Sequence, residues 1–336
     1  MIEVHDRPLI TFALFAYNQE KFIREAVEGA FAQTYSPLEI ILSDDCSSDG
    51  TFEIMTCLVQ EYSGPHTVHL NRNDRNLGII NHLNHVLPRA QGDLFIMAAG
   101  DDTSFSHRTA VLVDTWLAYR RQPDGLCSGF VSAEHDIERI VEPPTTFSAL
   151  EHCRRGTSRV PGATAAWTRN LWETWGTLPK DSLAEDRVLS LRALLSGGVV
   201  AVAEPLVRSR RNYLINDQLS VWERMWWKFE RERVYLTIYE RDVKYGVYDK
   251  HIRGKLLKII KKRKFFVSLE SKLLKGNIFH RFLSLVLFAI IKDISEKKSF
   301  RQRTRTVFNT GKHLLQPRFV ANQFNVRNHN YIKKVY

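Results

Sequence analysis

The sequence predicts an α/β fold: a mostly parallel sheet flanked by helices, followed by a helical, basic C-terminal region. Three observations carry that expectation. Four short, β-prone apolar runs alternate with amphipathic helical stretches within about the first 100 residues. Each run ends in a polar or acidic cluster, and both charge and composition change in the last third of the chain.

The elements follow in order. "LITFALFAYN", from Leu9 to Asn18, reads as a first strand, and "EKFIREAVEGAFAQTY" after it places Phe22, Ile23, Ala26, Val27, Ala30 and Phe31 on one helical face. "LEIILSDDCSSDGT" is a second strand ending in acids and turn formers from Asp44 to Gly50, and "TFEIMTCLVQEY" is a second helix. "HTVHLNRN", "IINHLNHVLPRA" and "GDLFIMAAG" complete a β-α-β-α-β-α-β series. Beyond Leu112 come an apolar helix, "AVLVDTWLAYRR", and irregular stretches around Pro143 and Pro161. "DSLAEDRVLSLRALLSGGVVAVAEPLV" then reads as a helix, a Gly197-Gly198 stop and a short strand. From Ser220 the chain is helical, aromatic and basic, so a boundary falls between 1–220 and 221–336.

Composition bounds the function. Hydrophobic residues make up 44% and charged residues 25% of the 336, as in globular proteins. The net charge of +11 is uneven: from His251 onward there are 21 Lys/Arg against 3 acids, while the first 250 residues sum to −7. Such an asymmetry points to an anionic partner for the tail, either membrane headgroups or nucleic acid. Cys46, Cys57, Cys127 and Cys153 are scattered without zinc or disulfide spacing, which fits a reducing cytoplasm. "MIEVHDRPLITF" lacks an export signal, and the longest apolar run, Phe282 to Ile291, is about half of what a membrane span requires. A helix lying in an anionic membrane surface fits the tail better than a spanning one. In the competing reading the apolar face packs on the first 220 residues or on a second copy, as an oligomer.

In open parallel sheets, ligands bind beyond the carboxyl ends of the strands. The clusters Tyr17-Asn18, Asp44-Asp45, Arg75-Asn76 and Asp101-Asp102 fall at those ends. Each alone reads as a cap or solvated turn. Two adjacent aspartates at the mouth of a core repel one another, and such charge commonly serves a metal ion. Neither GxGxxG nor GxxxxGK[ST] occurs, which disfavours those nucleotide folds. A carboxylate can instead accept from a base or ribose, while a divalent cation neutralises a diphosphate.

The ordered set "PLITFALFAYN", "LEIILSDDCSSDGT", "NLGIINHLN", "QGDLFIMAAGDD" and "AEDRVLSLRALLSGG" resembles the family 2 glycosyltransferases of the GT-A fold, over residues 8 to about 220. The resemblance implies inverting transfer of a sugar from a nucleotide-diphosphate donor to an acceptor hydroxyl. It puts Tyr17 against the nucleobase with Phe15 and Ala16 beside it, Asp45 as the base's acceptor, and Arg75 and Asn76 along the nucleotide pocket. Asp101 would lie near the ribose or donor sugar and beside the metal, and Asp102 would coordinate Mg²⁺ or Mn²⁺. Asp186 matches the general base, with Glu185 as its acidic neighbour and Arg210 supporting base or acceptor. The implied acceptor is a glycan or polyprenyl-linked carrier at the cytoplasmic face of a bacterial inner membrane, in surface-polysaccharide synthesis. Two departures stand out: Leu83 precedes Asn84 where a basic residue is common, and Asn212 stands where the family places a His.

Simpler readings stand beside these. An acid at the position of Asp186 is favoured by a helix dipole alone. Asp44 and Asp49 read as turn and cap residues. Trp167, Trp172 and Trp175 read as core rather than a sugar platform, and His82 and His85 as surface residues rather than zinc ligands. Two rival functions are a nucleic-acid-binding protein acting through the tail and a nucleotidyltransferase. The first leaves the acidic strand ends unused, and the second needs a phosphate loop that "FAYNQEKF" does not supply.

Overall fold

A computed structural model describes residues 7–134, 137–156, 160–210, 221–247 and 249–274. The strands are β1 (Ile10–Ala16), β2 (Leu38–Asp44), β3 (Thr67–Arg72), β4 (Leu94–Ala99), β5 (Thr103–Ser104), β6 (Gly125–Glu134), β7 (Ile137–Val141), β8 (Ala166–Thr168) and β9 (Val199–Arg210). The helices are α1 (Ile23–Phe31), α2 (Thr51–Glu61), α3 (Gly78–Val86), α4 (Arg108–Ala118), α5 (Ala149–Arg155), α6 (Arg169–Trp175), α7 (Glu185–Leu195), α8 (Val221–Gly246) and α9 (Lys250–Leu274). Among the described residues the strands form one sheet in the order β3-β2-β1-β4-β8-β6-β9-β5, with β7 beside β6.

The parallel half is the one expected. β1 pairs in parallel with β2 and β4, and β2 with β3. Both β1 and β2 are buried along their whole length, as strands covered by helices on both faces must be. Ile10, Phe12 and Leu14 of β1, Ile40 and Leu42 of β2, and Leu94 and Ile96 of β4 meet Ile23 and Val27 of α1, Met55 of α2, and Leu112 and Trp116 of α4 in one core.

The other half departs from the expectation of a short strand after irregular sequence. β6 and β9 are long and parallel to one another, with a register shift near Gly129, and β8 is antiparallel to both β4 and β6. β5 joins the far edge by antiparallel pairing with β9, Thr103 opposite Arg208 and Ser104 opposite Val207. These pairings fold the end of β9 back over the turn that follows β4.

Two compact units result. The first gathers the described residues up to 210 together with 234–260; the second gathers 221–233 and 261–274. The stretch 234–260, which composition assigns to the tail, therefore packs within the first unit. Among the described residues no helix is long and apolar enough to cross a membrane. The segment Phe282 to Ile291 lies outside the described residues, as do Arg211 and Asn212.

Candidate active site

Parallel register aligns the carboxyl ends of β1, β2 and β4, opposing Ala16 to Asp44 and Phe15 to Ala99. Two backbone hydrogen bonds extend this alignment past the strands: Asp45 N–H donates to the Ala16 carbonyl and Gly100 N–H to the Phe15 carbonyl, both at 2.9 Å. Phe15, Ala16, Tyr17, Asp45 and the Gly100–Asp102 turn thus share one rim. Phe15 and Ala16 are buried and Tyr17 is 46% exposed, so of the three only Tyr17 offers its side chain to a ligand. Asn18 and Cys46 adopt left-handed φ values of 52° and 60° beside this rim. Local bonds hold the first: Asn18 N–H donates to Ser47 Oγ and Asn18 Oδ1 accepts from Ser48 N–H.

Asp45 is 3% exposed and organises the loop leading to α3. Its Oδ1 accepts from Asn73 Nδ2 at 2.7 Å and from Leu77 N–H at 2.9 Å, and its Oδ2 from Gly78 N–H at 2.9 Å. A carboxylate has about four acceptor positions, so one remains for a further donor. Asn73 is in turn bonded by Asn71, which also donates to Ser43 Oγ, and Ser43 meets His82 Nε2 at 2.6 Å. His82 is 2% exposed, which corrects its assignment to the surface: burial drives its pKa down to about 4, against the pull of Asp45 and Asp44, and it sits neutral beneath the rim. His85 is exposed as expected. Arg75 and Asn76 are exposed at the loop's outer edge, where Asn76 Oδ1 accepts from Gly78 N–H. Asp44 bonds Ser47, and Asp49 bonds Thr51 and Glu20, which are turn roles; the N-cap of α2 is Gly50, without a side-chain bond.

The acidic turn is held from above and below. Arg210, at the end of β9, donates its backbone N–H to Asp102 Oδ1 at 2.9 Å, and its side chain pairs with Glu25 and lies over the Phe22 ring. Burial and then the neighbouring Asp101 charge push the Asp102 carboxyl up to about 6, and burial raises Asp101 as well. Such a pair gains from any cation that joins it. Beneath it lies Arg108, fully buried, donating to Ser104 Oγ and the Met97 carbonyl at 2.8 Å and more weakly to the Ala165 carbonyl at 3.5 Å. Its burial lowers its pKa to about 9 while the Asp102 charge opposes the drop. The sequence reading missed Asn73 and Arg108; a lone Arg opening an apolar helix was the signal available for the second.

The acid pair of α7 reaches the same end of the sheet through a third segment. Met97 N–H of β4 donates to the Ala165 carbonyl, which ties the turn Gly162–Ala165 to the end of β4. Glu185 Oε1 rests against Gly162, where a Cβ would lie 2.6 Å from it and 3.7 Å from Asp186 Cβ. Burial, followed by the charge of Asp186, lifts the Glu185 carboxyl to about 7. Both acids occupy the first turn of α7, where the helix dipole favours negative charge. Trp167 and Trp172 are core residues and Trp175 is half-buried. Asn84 clamps the loop between α6 and α7, exchanging hydrogen bonds with the backbone of Leu178 at 2.8 and 2.9 Å. Among the described residues no group of three or more His, Cys, Asp or Glu forms a metal site on its own.

A mixed α/β sheet of this order, flanked by helices, has the GT-A fold. The family model of glycosyl transferase family 2 matches residues 11–158. That segment, which carries Tyr17, Asp45 and Asp101-Asp102 of the rim, is similar to the family 2 glycosyltransferases. Among relatives, EpsE of Bacillus subtilis, whose glycosyltransferase activity is inferred, is 36% identical over 101 residues, 30% of this chain and 36% of that one. The succinoglycan biosynthesis protein ExoO of Rhizobium meliloti is 35% identical over 96 residues, 29% of this chain and 26% of that one. The chain therefore spans only about a quarter to a third of the length of these relatives. Among solved structures, TarS 1-349 of S. aureus in complex with UDP aligns over 83% of this chain and 80% of its own with a TM-score of 0.59 and 16% identity, a likeness of fold.

Proposed function

We propose that this chain is an inverting glycosyltransferase that moves a sugar from a nucleotide-diphosphate donor to an acceptor hydroxyl in the synthesis of a surface or lipid-linked polysaccharide. The observation that carries the proposal is the pair of hydrogen bonds aligning Tyr17, Asp45 and Asp101-Asp102 on one strand-end rim. In this reading Tyr17 packs against the base, and Asp45, already loaded with three donors, accepts one N–H from it. Arg75 and Asn76 line the outer edge of the nucleotide pocket. The polysaccharide assignment draws support from the similarity to the succinoglycan biosynthesis protein ExoO, and the overall fold from TarS.

The donor set suits a divalent ion. Two adjacent, part-buried carboxylates with raised proton affinity are the ligands that Mg²⁺ or Mn²⁺ takes when substrate phosphates and water complete its shell. Asp102 and Asp101 would hold it, and when bound it would supply Lewis-acid stabilisation to a departing diphosphate. The remaining work falls to the chain. An acceptor hydroxyl is a weak nucleophile, so Asp186 takes its proton as the bond to the anomeric carbon forms, from the face opposite the leaving group. Burial and the Asp186 charge raise the proton affinity of Glu185, which limits the negative charge beside Asp186. Arg210 fixes Asp102 through its backbone and brings a guanidinium to the rim.

A thermal-shift series with UDP, dTDP and GDP, each with and without Mn²⁺, tests the reading. At least one diphosphate should raise Tm by mass action, with an Mn²⁺-dependent part that Asp102→Asn removes. Asp186→Asn should keep donor binding and lower turnover by roughly 10²- to 10⁴-fold. Absence of any nucleotide shift, or normal turnover in Asp186→Asn, refutes it.

A further inference from the structure

One face of α8 reaches back to the helix that carries the acid pair. Tyr235, Tyr239 and Asp242 recur at the spacing of a single helical face, and each makes a buried polar or cation–π contact within the first unit. Tyr239 Oη meets His152 Nε2 of α5 at 2.8 Å. Asp242 Oδ2 pairs with Arg192 Nε near the end of α7 at 3.1 Å, and Arg192 also donates to the Gly176 carbonyl at 3.0 Å. Tyr235 does something different. Its hydroxyl donates to the Ala184 carbonyl at 3.4 Å, and its ring lies 3.7 Å under the Arg187 guanidinium, which itself bonds the Gly156 carbonyl.

Ala184 and Arg187 are the residues immediately before and after Glu185-Asp186. A single buried aromatic side chain thus grips the backbone on one side of the pair and the side chain on the other. Tyr235 is fully buried, so its position is set by packing and not by solvent. The anchor at Asp242 fixes the far end of α7, so the helix cannot slide along its axis while Tyr235 holds its first turn.

We infer that Tyr235 is a positioning residue: it sets the orientation of the Glu185-Asp186 carboxylates, making a residue from the sequence's basic C-terminal region part of the machinery that aims the general base. The inference rests on the proposed role of Asp186. It assigns Tyr235 no contact with donor or acceptor. Its effect should appear in the chemical step and not in nucleotide binding, because the orientation of a base matters when the proton moves, and a displacement of about 1 Å can cost roughly 100-fold.

The test uses the full chain and two readouts, amide hydrogen exchange across residues 183–190 and steady-state transfer. Tyr235→Leu should accelerate exchange at 184–187 and lower kcat about tenfold or more while leaving KM for the donor within about twofold. Tyr235→Phe keeps the ring under Arg187 and should recover most of kcat. Tyr239→Phe removes a hydrogen bond from the same helical face and should leave both readouts at 184–187 and in kcat unchanged. Unaltered exchange at 184–187 in Tyr235→Leu overturns the inference whatever the activity. So does faster exchange with unchanged kcat, or a loss of kcat that Tyr239→Phe matches. If the unmodified chain transfers no sugar from any donor offered, the functional proposal fails, and exchange alone still decides whether Tyr235 holds the acid pair.

Discussion

Asp45 and Asp102 are neighbours on one rim with different surroundings, and the difference is set by how many donors each carboxylate meets. Asp45 collects three hydrogen bonds from a loop it organises, whereas Asp102 has the Arg210 backbone N–H, a Ser209 side-chain bond and a repelling neighbour. Adjacent acids at a strand end are visible in sequence because the pair is local. Their supports are not: Asn73 bonds Asp45 across 28 positions, and Arg108 reaches Ala165 across 57. Glu185 gives a pH prediction at this scale. Its folded pKa of about 7 lies above its ordinary 4.5, so the folded state holds that proton more tightly than the unfolded chain. Below pH 4.5 the group is protonated in both states and costs nothing; as pH rises from 4.5 through 7 stability falls, and the penalty persists above 7. Glu185→Gln should therefore match the parent near pH 4.5 and exceed its stability at pH 8 by on the order of 1–3 kcal/mol, measured by urea denaturation at both pH values. Equal stability of the two at pH 8 would show that Glu185 is not strained by burial.

Among elements, legibility follows sequence separation. β1 to β4 and their helices are plain in the sequence because each βαβ turn carries its own periodicity and its own polar stop. β6 and β8 are not, since their pairing partners lie far along the chain and a strand of three residues such as β8 has no period to read, while β9 is legible only as a short strand after Gly197-Gly198, without its length or its partners. The same reason hid the role of α8. Its amphipathic pattern signals an apolar face but cannot say that the face belongs to α5 and α7 of the first unit. The buried pair Arg192–Asp242 makes the docking testable apart from catalysis: both side chains are 3% exposed, and Asp242 also meets Arg241 at 2.7 Å. Asp242→Ala leaves the Arg192 guanidinium buried without its anion and should cost about 3–5 kcal/mol in denaturant unfolding. Replacing both partners by apolar residues of similar volume, Arg192→Met with Asp242→Leu, should recover most of that loss, because the desolvation penalty of the stranded charge disappears. A single substitution with no effect would mean that α8 is held to α7 by packing alone.

At the scale of the whole molecule, charge distinguishes the tail from the part of the chain that carries the rim. The first 250 residues carry a net −7, and the remainder carries the 21 Lys/Arg that make the chain basic. In the second unit the α9 residues Lys261, Lys262, Phe265 and Leu269 are exposed, Phe265 at 66%, and Lys261, Phe265 and Leu269 lie four apart along one helical face. Basic residues beside an exposed aromatic are what an interfacial helix presents to anionic headgroups and the acyl boundary beneath them. Each basic residue near such a surface is worth about 1 kcal/mol, so binding should be strong at low salt and collapse as ionic strength rises. The full chain should float with vesicles containing anionic phosphatidylglycerol and not with neutral phosphatidylcholine. Phe265→Ser together with Lys261→Glu and Lys262→Glu should lower the bound fraction several-fold at 0.1 M salt without altering donor binding, since the rim lies wholly in the first unit. Unchanged flotation after removal of residues 251–336, or salt-sensitive retention by duplex DNA with none by anionic vesicles, would assign the basic charge to a partner other than the membrane.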